Sequence, residues 1–248
     1  MEATALGPNK TGAALVPEEI KLMLDAVSEL SPPAAISTLT LDMERQSYIS
    51  QADSVGSIPE PVGRGAKAAP RKKGLDPMRA VFLDKLGERM AFERTGTRLY
   101  DALITKYLAL QNDMGSAPLG ESALQTLQKI RTDELAHFHL LSETIASLGG
   151  DPTAQTPCAD VTAAASIGVM QVVTDPRTTF AQCLNTLLTV ELTDNASWEM
   201  LSELATKMGQ RDLAKLFAEP LATEAEHLTT VRGWLEALVM DEAGSPAV

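Results

Sequence analysis

Two four-residue segments, Glu134-Leu135-Ala136-His137 and Glu224-Ala225-Glu226-His227, each place a carboxylate three positions before an imidazole. Residues three apart share a face of a helix, so each segment aims a Glu and a His at one point. A carboxylate beside a neutral imidazole is a donor set for iron, manganese or zinc. The sequence has 3 histidines, and two of them fall in these segments. The remaining one, His139, lies two positions from His137 and so belongs on a flank, not among the ligands. Two more carboxylates, Glu93 and Glu191, sit in the middle of apolar helical stripes. A carboxylate there is costly unless it is paired or bound to a cation. Glu93, Glu134, His137, Glu191, Glu224 and His227 together offer two imidazoles and four carboxylates, whose charge balances two divalent ions.

Four long helices must carry these groups. The first is expected over 76–112, with Asp76 as N-cap and Pro77 in the first helical position. Its stripe runs Val81, Phe82, Leu86, Met90, Glu93, Thr97, Tyr100, Ile104 and Leu108. The second is expected over about 119–148, with Leu124, Leu127, Ile130, Glu134, His137, Leu141 and Ile145 on one face, and Gly149-Gly150-Asp151-Pro152 as its stop. A connection over 151–176, apolar and Ala-rich from Asp160 to Val173, is long enough to cross from one end of a bundle to the other. The third helix is expected from Asp175-Pro176 to about 208, with Phe180, Leu184, Leu187, Leu188, Glu191, Asn195 and Trp198 facing inward. Gly209 ends it. The fourth, over about 210–241, contains Pro220, which predicts a kink one turn before Glu224. Residues after Asp241 are expected to fray.

The four helices read as two related pairs. Glu93-x-Thr95-x4-Tyr100-Asp101-x-Leu103 is echoed by Glu191-x-Thr193-x4-Trp198-Glu199-x-Leu201. In each half, a helix with Glu-x-x-His follows the helix with the lone Glu. Self-similarity of this kind marks a duplicated unit. Tyr100 and Trp198 each lie seven residues beyond a ligand Glu, two turns along the same face. They are candidate redox partners or lining of the site. Thr97 and Asn195, one turn from Glu93 and Glu191, are candidates to support the ligands.

Composition narrows the functional classes. The formal charge of -12 and pI near 4.7 argue against nucleic acid as a partner, since phosphate binding requires clustered Lys and Arg. No run of 18 apolar residues crosses a membrane. The N-terminus lacks the basic and apolar regions of a secretory signal, and the 2 cysteines, Cys158 and Cys183, are widely separated. Both features fit reduced thiols in the cytoplasm. Residues 1–75 differ from the rest, being rich in proline with Tyr48 as their one aromatic. Short helices are expected from Pro17 to about Leu30 and over 38–52. A flexible Pro, Gly and Ala linker with Arg64, Lys67, Arg71, Lys72 and Lys73 follows over 57–74.

Residues 76–241 resemble the ferritin-like superfamily of di-iron carboxylate proteins. The ordered motif Glu93, Glu134-x-x-His137, Glu191, Glu224-x-x-His227 is similar to that of bacterioferritins, rubrerythrins and oxygen-activating di-iron enzymes. The resemblance implies an all-α, ferritin-like four-helix bundle with a long crossover between the second and third helices. Here it is preceded by a mostly irregular N-terminal extension over 1–75 and followed by a C-terminal tail over 242–248. It implies that Glu134 and Glu224 bridge two iron ions, with manganese as the alternative metal. Glu93 with His137 would complete one shell and Glu191 with His227 the other. It further implies reaction with O2 or peroxide, an electron donor, ferroxidase-type or other oxidoreductase activity, and a homodimer. Two other roles fit the same motif: iron binding or delivery without catalysis, and docking of a partner through residues 1–75. The sequence departs from the family in having no Cys-x-x-Cys pair for a rubredoxin-like iron. It also leaves about eight residues after the fourth helix, too few for the short fifth helix of cage-forming ferritins.

Overall fold

A computed structural model describes residues 17–30, 38–52, 76–114, 119–120 and 122–244, which form nine helices and no strand. The chain divides into two compact units, Met1–Ser54 and Val55–Val248. The linker expected over 57–74, the middle of the turn at 115–118 and the last residues, 245–248, lie outside the described residues. In the first unit, α1 spans Pro17–Leu30 and α2 spans Thr38–Gln51, as the local pattern predicts. Pro17 opens α1, with Glu18 and Glu19 in its first turn, where the helix dipole favours acids. Met23, Val27 and Leu30 of α1 are exposed.

The second unit carries the bundle. Helix α3 spans Pro77–Met114 and α4 spans Ala123–Ser147. Their contacts run in opposite order. Arg79 donates to the Leu148 carbonyl, Arg131 Nε lies 2.9 Å from Asp101 Oδ1, and Tyr107 donates to the Gly120 carbonyl at 3.0 Å. The pair is therefore an antiparallel hairpin. Gly149, at φ 74°, ends α4. Its N–H bonds to the Ala146 carbonyl, and that of Gly150 to Ile145 at 2.8 Å, which closes the helix end in a Schellman turn.

The crossover is two short helices, α5 (Pro157–Ala165) and α6 (Ile167–Thr174), and it climbs the length of α3. At one end Thr156 caps α5 and donates to the Asp84 carbonyl, while Cys158 N–H donates to Asp84 Oδ1 at 2.9 Å. A Cβ on Gly87 would sit 2.4 Å from Thr156 Cγ2, so glycine is what lets this cap approach. At the other end Lys106 Nζ donates to the carbonyls of Asp175 at 2.7 Å and Thr178 at 3.1 Å. Having returned along α3, the chain enters α7 (Phe180–Lys207) antiparallel to it. Tyr100 pairs with Glu191 and Glu93 with Trp198.

Three features of the last helices differ from the sequence expectation. Helix α7 begins at Phe180 and not at Asp175-Pro176, because Asp175 Oδ1 accepts from the Arg177 N–H in a local turn. Thr179 and Gln182 then form a capping box. The fourth helix is broken, not merely kinked. Helix α8 covers Arg211–Leu216, Phe217 interrupts, and α9 covers Ala218–Gly244. Pro220 has no N–H for the Leu216 carbonyl, and the break falls at that missing bond. Helix α9 also continues past Asp241 to Gly244.

The bundle interior is apolar at both ends. One cluster gathers Leu99, Leu103, Tyr107, Leu127, Leu184 and Leu187. The other gathers Phe82, Leu86, Leu141, Ile145, Leu201 and Phe217. In α3 the inward stripe drifts from the one drawn above. Leu103 and Tyr107 are buried, while Val81 and Leu108 are exposed. No single helix among the described residues is long and apolar enough to cross a membrane.

Candidate metal centre

Between the two apolar clusters lies a polar layer. Glu93 comes from α3, Glu134 and His137 from α4, Glu191 from α7, and Glu224 and His227 from α9. None of the six is more than 4% exposed. Donor atoms of Glu134, Glu191, Glu224 and His227 lie within 4.8 Å of one another, and so do those of Glu93, His137 and Glu224. All six predicted ligands thus meet, in two overlapping groups. Glu224 belongs to both. Its Oε1 lies 2.7 Å from His137 Nδ1 and its Oε2 lies 3.2 Å from His227 Nδ1. It spans the two halves as a bridging carboxylate does.

The lone glutamates are held differently. Trp198 Nε1–H donates to Glu93 Oε1 at 2.9 Å, and the Tyr100 hydroxyl donates to Glu191 Oε1. Each aromatic therefore braces the carboxylate of the opposite half. One oxygen of each glutamate is occupied, and the other, Oε2, has no hydrogen-bond partner. Glu134 Oε2 is likewise without one, while Glu224 Oε1 and His137 Nδ1 have each other, at 2.7 Å. Buried polar atoms without partners are unfavourable by about 1–3 kcal/mol each, and here they face one another. That is the arrangement of a donor set open to cations. Thr97, by contrast, donates back to the Glu93 carbonyl at 3.0 Å within its own helix. Asn195 is only half-buried, and His139 is exposed as expected.

Three residues were not singled out by the sequence. Asp133, just before Glu134, accepts from His227 Nε2 at 3.1 Å and pairs with Lys129 at 2.6 Å. His227 thus faces Asp133 through Nε2 and the cluster through Nδ1, 3.2 Å from Glu224 Oε2; in a neutral ring that keeps its proton on Nε2, Nδ1 is the nitrogen with a lone pair for a metal. Replacing Asp133 by alanine is expected to weaken metal binding about 10–100-fold, as loss of such outer partners does. Titration with Mn2+ checks this; unaltered affinity overturns the role given to Asp133. The other two are Asp194 and Arg89. Asp194 is buried with Glu93, Glu134 and Glu224 in a further group of converging carboxylates. Arg89, 2% exposed, places Nε 3.1 Å from Glu93 Oε1 and Nη1 3.2 Å from Asp194 Oδ1. Five carboxylates less one guanidinium leave four negative charges, again the charge of two divalent ions. The signal for Asp194 was its position three after Glu191. The helical stripe admits either i+3 or i+4, so spacing alone does not separate Asp194 from Asn195.

The electrostatics agree with a layer short of positive charge. Burial, with Glu93 and Glu224 nearby, raises the Glu134 pKa well above its usual value. Burial does the same to Asp194 against the pull of Arg89, and it lifts Glu191 to about 8. Burial also works against Glu224, but His137 and His227 outweigh it and hold that carboxyl near 2. Burial disfavours charge on His137, yet Glu224 and Glu93 prevail and raise it to about 9. Not all the carboxylates can be ionised here unless cations are added. The backbone leaves room for the Glu134 carboxylate: a Cβ on Gly96 would lie 2.1 Å from its Oε2. The residues present are compatible with a di-metal site.

The family model for the ferritin-like domain matches residues 86–237. Among solved structures, the chain is similar to the E. coli stress protein YciF, with a TM-score of 0.53 and 18% identity over 66% of this chain and 98% of that one. At that identity the likeness concerns the fold. No curated protein sequence matches the chain.

Proposed function

The chain belongs to the ferritin-like family, and on that premise we propose that it is a di-iron carboxylate protein, with manganese as the alternative metal, that reacts with O2 or peroxide. The observation that supports this most is the layer of buried, converging donor atoms in which Oε2 of Glu93, Glu134 and Glu191 has no hydrogen-bond partner. Glu93 and His137 would hold one ion, Glu191 and His227 the other, with Glu134 and Glu224 shared. When bound, the metal pair supplies electrons to O2 or peroxide. The chain's own contribution is positioning. Tyr100 and Trp198 fix one oxygen of each terminal glutamate, which leaves the second oxygen as a single ligand atom. In this reading they are positioning residues and not redox partners. Asp133 sets the His227 tautomer. The apolar clusters on either side keep bulk water from the layer.

Loading the metal-free protein with Fe2+ under nitrogen tests the reading. About two ions per chain are expected, followed by Fe2+ oxidation with O2 or peroxide uptake when either oxidant is admitted. Metal binding without turnover would favour iron handling over oxidoreductase activity. Failure to bind metal overturns both.

A further inference from the structure

We propose that the two metal positions are unequal, and that Arg89 makes the Glu93–His137 position the weaker one. This rests on the two-metal reading above. The internal repeat alone would make the halves alike, since Glu93 corresponds to Glu191, His137 to His227 and Tyr100 to Trp198. Two departures from the repeat bear on this layer. Arg89, four residues before Glu93, stands where the other half has Leu187. Gly96, three residues after Glu93, stands where the other half has Asp194.

The two departures meet in space. The Arg89 guanidinium lies between Glu93 and Asp194, at 3.1 Å and 3.2 Å. At 2% exposure its field is little screened by solvent. An arginine there stays charged. Glu93 Oε1 thus lies against a guanidinium as well as accepting from the Trp198 indole. Glu191 Oε1 accepts from the neutral Tyr100 hydroxyl. Glu134 and Glu224 converge with both Glu191 and Glu93, so they do not separate the positions. What separates them is that an ion beside Glu93 and His137 must share the Glu93 carboxylate with a fixed cation, whereas no cation lies on Glu191 among the ion pairs of the described residues. The Glu191–His227 position therefore fills first and holds its ion, and the Glu93–His137 position exchanges.

Titration of the metal-free full chain with Mn2+, with free ion read by electron paramagnetic resonance, tests this. Two ions should bind, with dissociation constants at least about tenfold apart, the effect of one charge-assisted hydrogen bond on an equilibrium. Arg89→Met should tighten the second step and bring the constants together. Asp194→Asn leaves the guanidinium wholly on Glu93 and should weaken the second step further. The opposite signs separate this from general damage, which would weaken both. Arg89→Met strands a buried carboxylate, so the double variant Arg89→Met, Asp194→Asn, which removes the pair together, should also narrow the gap if the single variant does not fold. Equal constants in the wild type, or an unchanged ratio in the folded variants, overturn the inequality. Absence of Mn2+ binding overturns the two-metal reading and this inference with it.

Discussion

Glu134→Ala is expected to reduce bound metal from about two ions per chain to one or fewer, at unchanged helical content. Glu134 lies in two of the three converging donor groups, with Glu191, Glu224 and His227 on one side and with Glu93, Asp194 and Glu224 on the other. Loss of a direct ligand should exceed the ~10–100-fold penalty for losing a partner behind one. The metal-free fold should not suffer. Because the Glu134 pKa is raised in the folded protein, its ionisation opposes folding as pH climbs above the ordinary value of 4.5. The alanine variant lacks that burden. Metal should raise the melting temperature of the wild type by mass action and of the variant much less. Elemental analysis of the reconstituted protein, beside circular dichroism, decides the matter. Two ions per chain in the variant would sink the ligand assignment.

Gly96→Ala should uncouple stability from metal binding. In a helix interior alanine is favoured over glycine by about 1 kcal/mol, so the metal-free variant should melt at the same temperature or about 2–4 °C higher. Yet the new Cβ would lie 2.1 Å from Glu134 Oε2 and 2.8 Å from its Cδ. The backbone of α3 is held by its own bonds, so the carboxylate must swing away from the layer. Metal affinity should fall about tenfold or more, in the range of a lost outer partner. In the Glu134→Ala background the same change should cost nothing further, since the atoms it displaces are gone. A double-mutant cycle reads this coupling directly. Additive losses would show that Gly96 acts by some route other than making room for Glu134.

The converging donors were legible because they obey a local rule. Glu-x-x-His is a statement about one helix face, and buried carboxylates on apolar stripes announce a need for charge. The duplication made the pattern harder to attribute to chance. Arg89, Asp133 and Asp194 were not legible, since each gains its meaning from a partner far along the chain: Asp133 from His227, Arg89 and Asp194 from each other. Tyr100 and Trp198 were visible as aromatics two turns from Glu93 and Glu191. That each braces the glutamate of the other helix pair was not.

By itself the sequence determined the all-α class, the four long helices, the crossover, and six donors in two matching sets, because helical periodicity and turn residues act over a few positions. The tertiary structure alone decided that α3 and α7 run antiparallel, so that the aromatics exchange partners. It also decided that a buried guanidinium lies on one half of an otherwise repeated site. Those outcomes depend on which side chains meet across helices. Burial then removes the solvent that would have made a stray arginine or aspartate inconsequential.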